Sequence, residues 1–185
     1  RIAREGSGAA CLQAQLQLAC RTDLPEAVLL LLLDLHDSPA VWNTLAASQP
    51  FDRHPRVLTR LRPLIPGRPN RIEQGLASNP TSPPALLRRL AEDTRLTQLV
   101  VRNPGFADGD LEALATKPGW TLRQLAAGSE RLSPATLARL AQDGDERVRM
   151  VVARNPRTPR ASLEQLARDR AVIVSERARE QLAGG

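Results

Sequence analysis

Apolar residues in this chain fall in short helical clusters that recur around one dipeptide. Asn155-Pro156 is followed by Leu163, Leu166, Ala167 and Asp169. Asn79-Pro80 is followed at the same offsets by Leu87, Leu90, Ala91 and Asp93, and Asn103-Pro104 by Leu111, Leu114 and Ala115, with Lys117 replacing the aspartate. Ser129-Glu130 lacks the Asn-Pro but keeps Leu137, Leu140, Ala141 and Asp143. Cys20-Arg21 gives Val28, Leu31, Leu32 and Asp34, and Gln49-Pro50 gives only Val57 and Leu61, the poorest copy. Repetition at a period of roughly 20–50 residues marks a stacked repeat protein. It shifts the expected function from catalysis toward binding.

Each copy predicts two helical pieces. Before the Asn-Pro sit apolar residues at i, i+3 and i+4, which share one helix face: Val148, Val151 and Val152, or Leu96, Leu99 and Val100. Proline disfavours the α conformation in the residue before it, so the first helix should stop at the asparagine. The second helix opens near Pro83, Pro134 or Pro159, with Ser82, Ser133 and Thr158 as N-cap candidates. Asp110 and Glu112 are acidic residues suited to a helix N-terminus. The second helix buries Leu, Leu and Ala. One such unit cannot bury its apolar face alone, and a stack of them can.

The Asn-equivalent positions 20, 49, 79, 103, 129 and 155 are spaced 29, 30, 24, 26 and 26 apart. Insertions are expected around His36-Asp37-Ser38-Pro39 and at Pro63 to Pro69, the latter a kink or loop within one domain. The domain reading is therefore a single repeat array over 1–185: irregular repeats in 1–69, regular ones in 70–170 and a C-terminal cap in 171–185. Within the cap, Arg177 replaces an expected apolar residue, which suits a polar terminal repeat.

The short valine- or leucine-rich helix, Asn-Pro, then Pro-x-x-x-Leu-x-x-Leu-Ala-x-Asp resembles the leucine-rich repeat variant family. The pattern is clearest from Val148 through Asp169, and covers about residues 70–170 well and 12–62 more loosely. The resemblance implies an all-α fold: a right-handed α/3₁₀ solenoid, here of about six tandem repeats of 24–30 residues. A characterised type of member carries an N-terminal cysteine cluster holding a 4Fe-4S centre. Here only Cys11 and Cys20 are present, and four thiolates are needed, so the cluster is not carried over. The family has no agreed activity.

Composition agrees with helices. Aromatics are limited to Trp42, Trp120, Phe51 and Phe106, and tyrosine is absent. The net charge of +6 comes from arginine, since Lys117 is the only lysine. Arginine forks suit phosphate and carboxylate, so nucleic acid or an acidic protein is a permitted partner. Interspersed acidic residues favour the plainer reading, a solvated face of internal ion pairs. The apolar run Val28 to Leu33 is too short to span a bilayer, and two cysteines make no disulfide framework, so a cytoplasmic, non-membrane protein is expected.

Candidate chemistry is sparse. His36 and His54 fall in inserted or loop segments, and His36 beside Asp34 and Asp37 could be a metal or acid-base site but is read as a surface histidine. Cys11 and Cys20, which could pair or share a metal with another chain, are read as small buried hydrophobes. The recurring Asp34, Asp93, Asp143 and Asp169 and the recurring Asn79, Asn103 and Asn155 are periodic. They are expected to bond backbone groups in turns rather than to catalyse. No catalytic, cofactor or metal residue is predicted. The candidate partner-binding residues are arginines that share positions between repeats: Arg102 with Arg154, Arg123 with Arg149, and Arg89 with Arg139. The expected function is a non-catalytic scaffold for a protein or peptide partner. The alternative is nucleic-acid binding through these arginine columns, without aromatic stacking platforms.

Overall fold

Proline after asparagine ends the first helix of each regular repeat where the steric argument places it. A computed structural model describes residues 2–35, 38–61 and 71–184. Helices α7 (Thr94–Arg102) and α11 (Glu146–Arg154) stop at Asn103 and Asn155, both extended at φ −71°, ψ 126° and φ −74°, ψ 124°. Ser129 is not followed by proline. There the first helix, α9 (Trp120–Ala127), closes instead on Gly128 in the α region.

The chain forms two compact units, Arg1–Gly105 and Phe106–Gly185. The first contains α1 (Ile2–Ala19), α2 (Glu26–Leu35), α3 (Pro39–Ser48), α4 (Pro55–Leu61), α5 (Arg71–Ser78), α6 (Pro84–Leu90) and α7. The second contains α8 (Asp108–Leu114), α9, α10 (Pro134–Leu140), α11, α12 (Arg160–Leu166) and α13 (Val172–Gly184). Among the described residues there is no strand. Within each unit first helices pack on first helices: α1 on α3, α3 on α5 and α5 on α7, then α9 on α11 and α11 on α13.

The second helices α6, α8, α10 and α12 are seven residues long. Each is closed by an i→i+3 bond, from the amides of Asp93, Lys117, Asp143 and Asp169 to Leu90, Leu114, Leu140 and Leu166 at 2.9–3.2 Å. These closing bonds are single 3₁₀-like turns, and every helix among the described residues is an α-helix rather than one of an alternating α/3₁₀ pair. The repeated leucines are the core: Leu87, Leu90, Leu111, Leu114, Leu137, Leu140, Leu163 and Leu166 are all buried.

Three local expectations are corrected. In the first helices the buried stripe is i, i+4, i+5 (Leu96, Val100, Val101; Val148, Val152, Ala153), while Leu99 and Val151 stay half-exposed. The partner helix sits to one side of the apolar triplet rather than squarely over it. Ser82 and Thr158 do not cap helices. They are buried and donate to the carbonyls of Leu76 and Val152 at 2.6 Å, whereas Ser133 does cap α10 through the Thr136 amide. Glu112 serves not its own helix but α10, accepting from the Ser133 amide at 3.0 Å and the Thr136 hydroxyl.

The poor copy at Gln49 has a simple cause. Helix α4 buries Val57, Leu58 and Leu61 as α6 buries Leu86, Leu87 and Leu90, so one extra residue lies in the intervening turn. The Pro63–Pro69 insertion lies outside the described residues. At the C-terminus, Arg177 is half-exposed on α13 and pairs with Glu180.

Gly75 permits the close approach of α5 to α3. A Cβ there would lie 3.1 Å from the Ala46 Cβ and from the Ala47 amide nitrogen.

Candidate functional site

The recurring asparagines tie one turn to the next. Asn103 Nδ2 donates to the carbonyls of Ala77 and Asn79 at 2.7 and 2.8 Å, while its Oδ1 accepts from the Gly105 amide at 2.8 Å. Asn79 does the same toward Ala46 and Gln49, with Oδ1 on the Thr81 amide. Asn155 does the same toward Ala127 and Ser129, with Oδ1 on the Arg157 amide. Each side chain thus satisfies two carbonyls of the preceding repeat and one amide of its own turn. Gln49 keeps only the backward half, donating to Ala19 and Arg21 at 2.6 and 3.1 Å. Its Oε1 is buried without a partner, and the Phe51 amide goes to the Thr81 hydroxyl instead. Ser129 retains the local half through the Arg131 amide.

A second ladder runs through the second unit. Arg123 holds Asp143 at 2.6 and 2.9 Å and donates Nη1 to the carbonyls of Lys117 and Pro118. Arg149 holds Asp169 at 2.6 and 3.0 Å and donates Nη1 to the carbonyls of Asp143 and Gly144. Three successive turns are therefore joined by two guanidinium groups. Asp143 and Asp169 also accept from the Asp145 and Ala171 amides. The Arg149 hydrogen bond holds the Asp169 carboxyl below its ordinary pKa against the opposing effect of burial. At Asp143 burial pushes upward, but the bonds from Arg123 and the Asp145 amide outweigh it and the pKa is lowered.

Repeat length decides how the aspartates are used. Between Asn79 and Asn103, 24 residues apart, Asp93 stands at the end of α6 and caps α7 through the Arg95 amide at 2.9 Å. In the 26-residue repeat the roles separate: Asp143 holds Arg123, and Asp145 caps α11 through the Arg147 amide. The Arg147 side chain draws the Asp145 pKa down to about 2.

The six candidate arginines thus divide. Arg123 and Arg149 are committed to the ladder, with side chains only 19% and 8% exposed. Arg89, Arg102, Arg139 and Arg154 are exposed and make no ion pair with another described residue. Glu112 nevertheless feels the Arg139 charge. Arg102 and Arg154 end first helices, and Arg89 and Arg139 lie in the last turns of second helices, so the four occupy two kinds of position.

The other candidates are dispersed. His36 and Asp37 lie outside the described residues. His54 lies in the turn before α4, is buried, and neither ring nitrogen has a partner. Cys11 and Cys20 are free and exposed rather than buried, because α1 and the turn after it present them outward. Two thiolates do not fit an iron–sulfur cluster, and among the described residues no group of three or more His, Cys, Asp and Glu is placed to hold a metal ion.

Sequence reading also missed a stripe on the first helices. Arg147, Met150, Val151 and Arg154 occupy i, i+3, i+4 and i+7 of α11 and are half-buried or exposed, opposite the buried Val148, Arg149, Val152 and Ala153. Helix α7 repeats the pattern with Arg95, Gln98, Leu99 and Arg102. The first arginine of each stripe is pinned by the capping aspartate, Arg147 to Asp145 at 2.7 Å and Arg95 to Asp93 at 3.0 Å. Arg147 also lies over the Trp120 ring, 3.5 Å from its centroid. Arg154 lines a cleft of about 380 Å³ with Arg177, Glu180, Gln181 and Gly184.

No protein-family model matches the chain, and no curated protein matches it significantly. A solved structure described as a leucine-rich repeat variant with a novel repetitive protein structural motif superposes with a TM-score of 0.61 and 20% identity, over 90% of this chain. The chain spans 64% of that protein's length. At this identity the likeness establishes the fold alone: the chain is an all-α repeat solenoid folded like that structure.

Proposed function

We propose that the chain is a non-catalytic repeat scaffold that mediates macromolecular interaction, with a protein or peptide as partner. The observation that carries this reading is the commitment of the recurring polar residues. Asn79, Asn103, Asn155, Asp143, Asp169, Arg123 and Arg149 are bonded between repeats, and among the described residues no group of three or more His, Cys, Asp and Glu is placed to hold a metal ion. What remains partly exposed on α7 and α11 is an arginine-flanked stripe, Gln98 and Leu99 in one and Met150 and Val151 in the other. Aromatic residues, methionine and arginine are the types enriched at protein interfaces.

A second reading, nucleic-acid binding, rests on the four exposed arginines without ion pairs, Arg89, Arg102, Arg139 and Arg154. A cytoplasmic location belongs to the first reading and rests on the free, exposed Cys11 and Cys20. Among the described residues no helix is long and apolar enough to cross a membrane.

Crosslinking in cell extract with the intact chain, alongside Arg102→Glu/Arg154→Glu, separates the readings. A protein captured by the parent and lost by the variant supports the first. Duplex DNA binding that weakens with log salt at a slope of about −0.9 per neutralised phosphate, with no protein captured, supports the second.

A further inference from the structure

We propose that the outer face of α9, α11 and α13 binds a peptide segment that sets an apolar side chain on Met150 and Val151 and a carboxylate against Arg154. The proposal rests on the protein-partner reading and names its face and chemistry.

The centre of this face is apolar and partly exposed. Met150 and Val151 are half-exposed on α11, and Leu125 of α9 is half-exposed beside them in the stack. Gly128 sits at the end of α9, where a Cβ would lie 3.6 Å from the Val151 Cγ1. With no side chain at Gly128, Val151 is left open to a visitor. Methionine is unbranched and polarisable and adapts to an incoming apolar group.

The two ends of the α11 stripe differ in charge. At the N-terminal end Arg147 is paired with Asp145 and lies over the Trp120 ring, so this end calls for no further anion. At the other end Arg154 pairs with no carboxylate of the described residues. In its cleft Glu180 is taken up by Arg177 at 2.6 Å, leaving the Arg154 guanidinium as the uncompensated charge. A guanidinium fork pairs with a carboxylate in two parallel hydrogen bonds. A nucleic-acid backbone would satisfy the charge and leave the apolar centre unused, so a peptide is favoured.

The spacing limits the peptide. From Val151 to Arg154 the helix rises about 4.5 Å, and an extended chain covers about 3.3 Å per residue. Successive side chains of an extended chain face opposite ways, so a side-chain carboxylate lies two residues from the apolar side chain, and a terminal carboxylate can lie nearer. The carboxylate is supplied by Asp, Glu or a chain terminus.

The test is selection from a displayed library of random peptides on the intact chain. Counter-selection uses Met150→Lys/Val151→Lys and, separately, Arg154→Glu, each checked for unchanged helicity. Enriched sequences are resynthesised with free and amidated C-termini and with Asp or Glu replaced by the amide. Binding is read by fluorescence anisotropy, with duplex DNA as a parallel probe. The expected result is an apolar residue two positions from an Asp or Glu, or close to a free C-terminus, with binding about tenfold weaker on either variant. Charge reversal in the peptide should restore binding to Arg154→Glu. Binding equal on parent and variants, enrichment without a carboxylate, or duplex DNA binding lost in Arg154→Glu would each overturn the proposal. Peptides that bind parent and variants alike would leave the scaffold reading standing elsewhere on the chain. No enrichment at all on the parent would count against both.

Discussion

Arg149 holds Asp169, 20 residues further along, by paired bonds of 2.6 and 3.0 Å, and the two side chains are only 8% and 9% exposed. Arg123 and Asp143 repeat the relationship at the same separation of 20. A buried ion pair gains little over an apolar pair of the same shape, but removing one partner strands the other charge. Its contribution here is to fix how one turn stands on the next.

The first prediction concerns acid. Asp143 and Asp169 have lowered pKa values in the folded chain, so their contribution is present above the unfolded carboxylate value of about 3.9. It is lost as pH falls through the folded values. The thermal midpoint of the parent should hold from pH 7 to about pH 5 and fall below about pH 4. Asp169→Asn should start lower and fall less. Parallel pH profiles for the two proteins would contradict the assignment.

The asparagine ladder predicts graded losses at a single position. Asn155→Ala strands the buried carbonyls of Ala127 and Ser129 and should cost about 2–4 kcal/mol. Asn155→Ser should cost less, because a serine keeps the local bond to the amide two residues on, as Ser129 does. Asn155→Asp should cost most at neutral pH, since a carboxylate oxygen would face two carbonyls. Urea titrations of the three variants check the order.

At Gly75 two effects compete. Alanine in place of a helical glycine gains roughly 0.5–1 kcal/mol, whereas overpacking costs about 1–3 kcal/mol. The 3.1 Å approaches to Ala46 and to the α3 backbone leave little room to relax, so Gly75→Ala should destabilise, and Gly75→Val more. A higher thermal midpoint for Gly75→Ala would show that α3 moves aside.

His54 offers the opposite sign. Both ring nitrogens are buried without partners, so replacing the ring with an apolar side chain strands nothing. His54→Leu should unfold within about 0.5 kcal/mol of the parent or above it. A loss above about 2 kcal/mol would mean that the imidazole makes a bond essential to the fold.

Much of the fold was legible because periodic burial and backbone stops leave local marks: the leucine columns, the Asn-Pro stops and the turn aspartates Asp93, Asp143 and Asp169. The fourth recurring aspartate, Asp34, is exposed and pairs with Arg60 instead. The Gln49 repeat was obscured by one extra turn residue, which shifts the leucine offsets while leaving the helix intact. The role of Arg123 and Arg149 was hidden for another reason. They share a position between repeats, and a shared position on a surface looks like a column for a partner. Their signal was in the sequence all the same. Asp143 and Asp169 stand 20 residues after the arginines, and where Thr97 replaces the arginine, Lys117 replaces the aspartate 20 residues on. Co-occurrence between repeats of one chain marks a contact. The α11 stripe was missed because Val151 was assigned to the core with Val148 and Val152.

The central claim, that the recurring polar residues hold repeat to repeat, is tested most directly by a double-mutant cycle on Arg149→Met and Asp169→Leu. Each single change should cost about 3–5 kcal/mol, because it leaves one buried charge unpaired. The double variant should recover much of that loss, giving a coupling of about 2 kcal/mol or more. Additive losses, with coupling below about 0.5 kcal/mol, would show that the two residues stabilise the chain independently and would contradict the ladder.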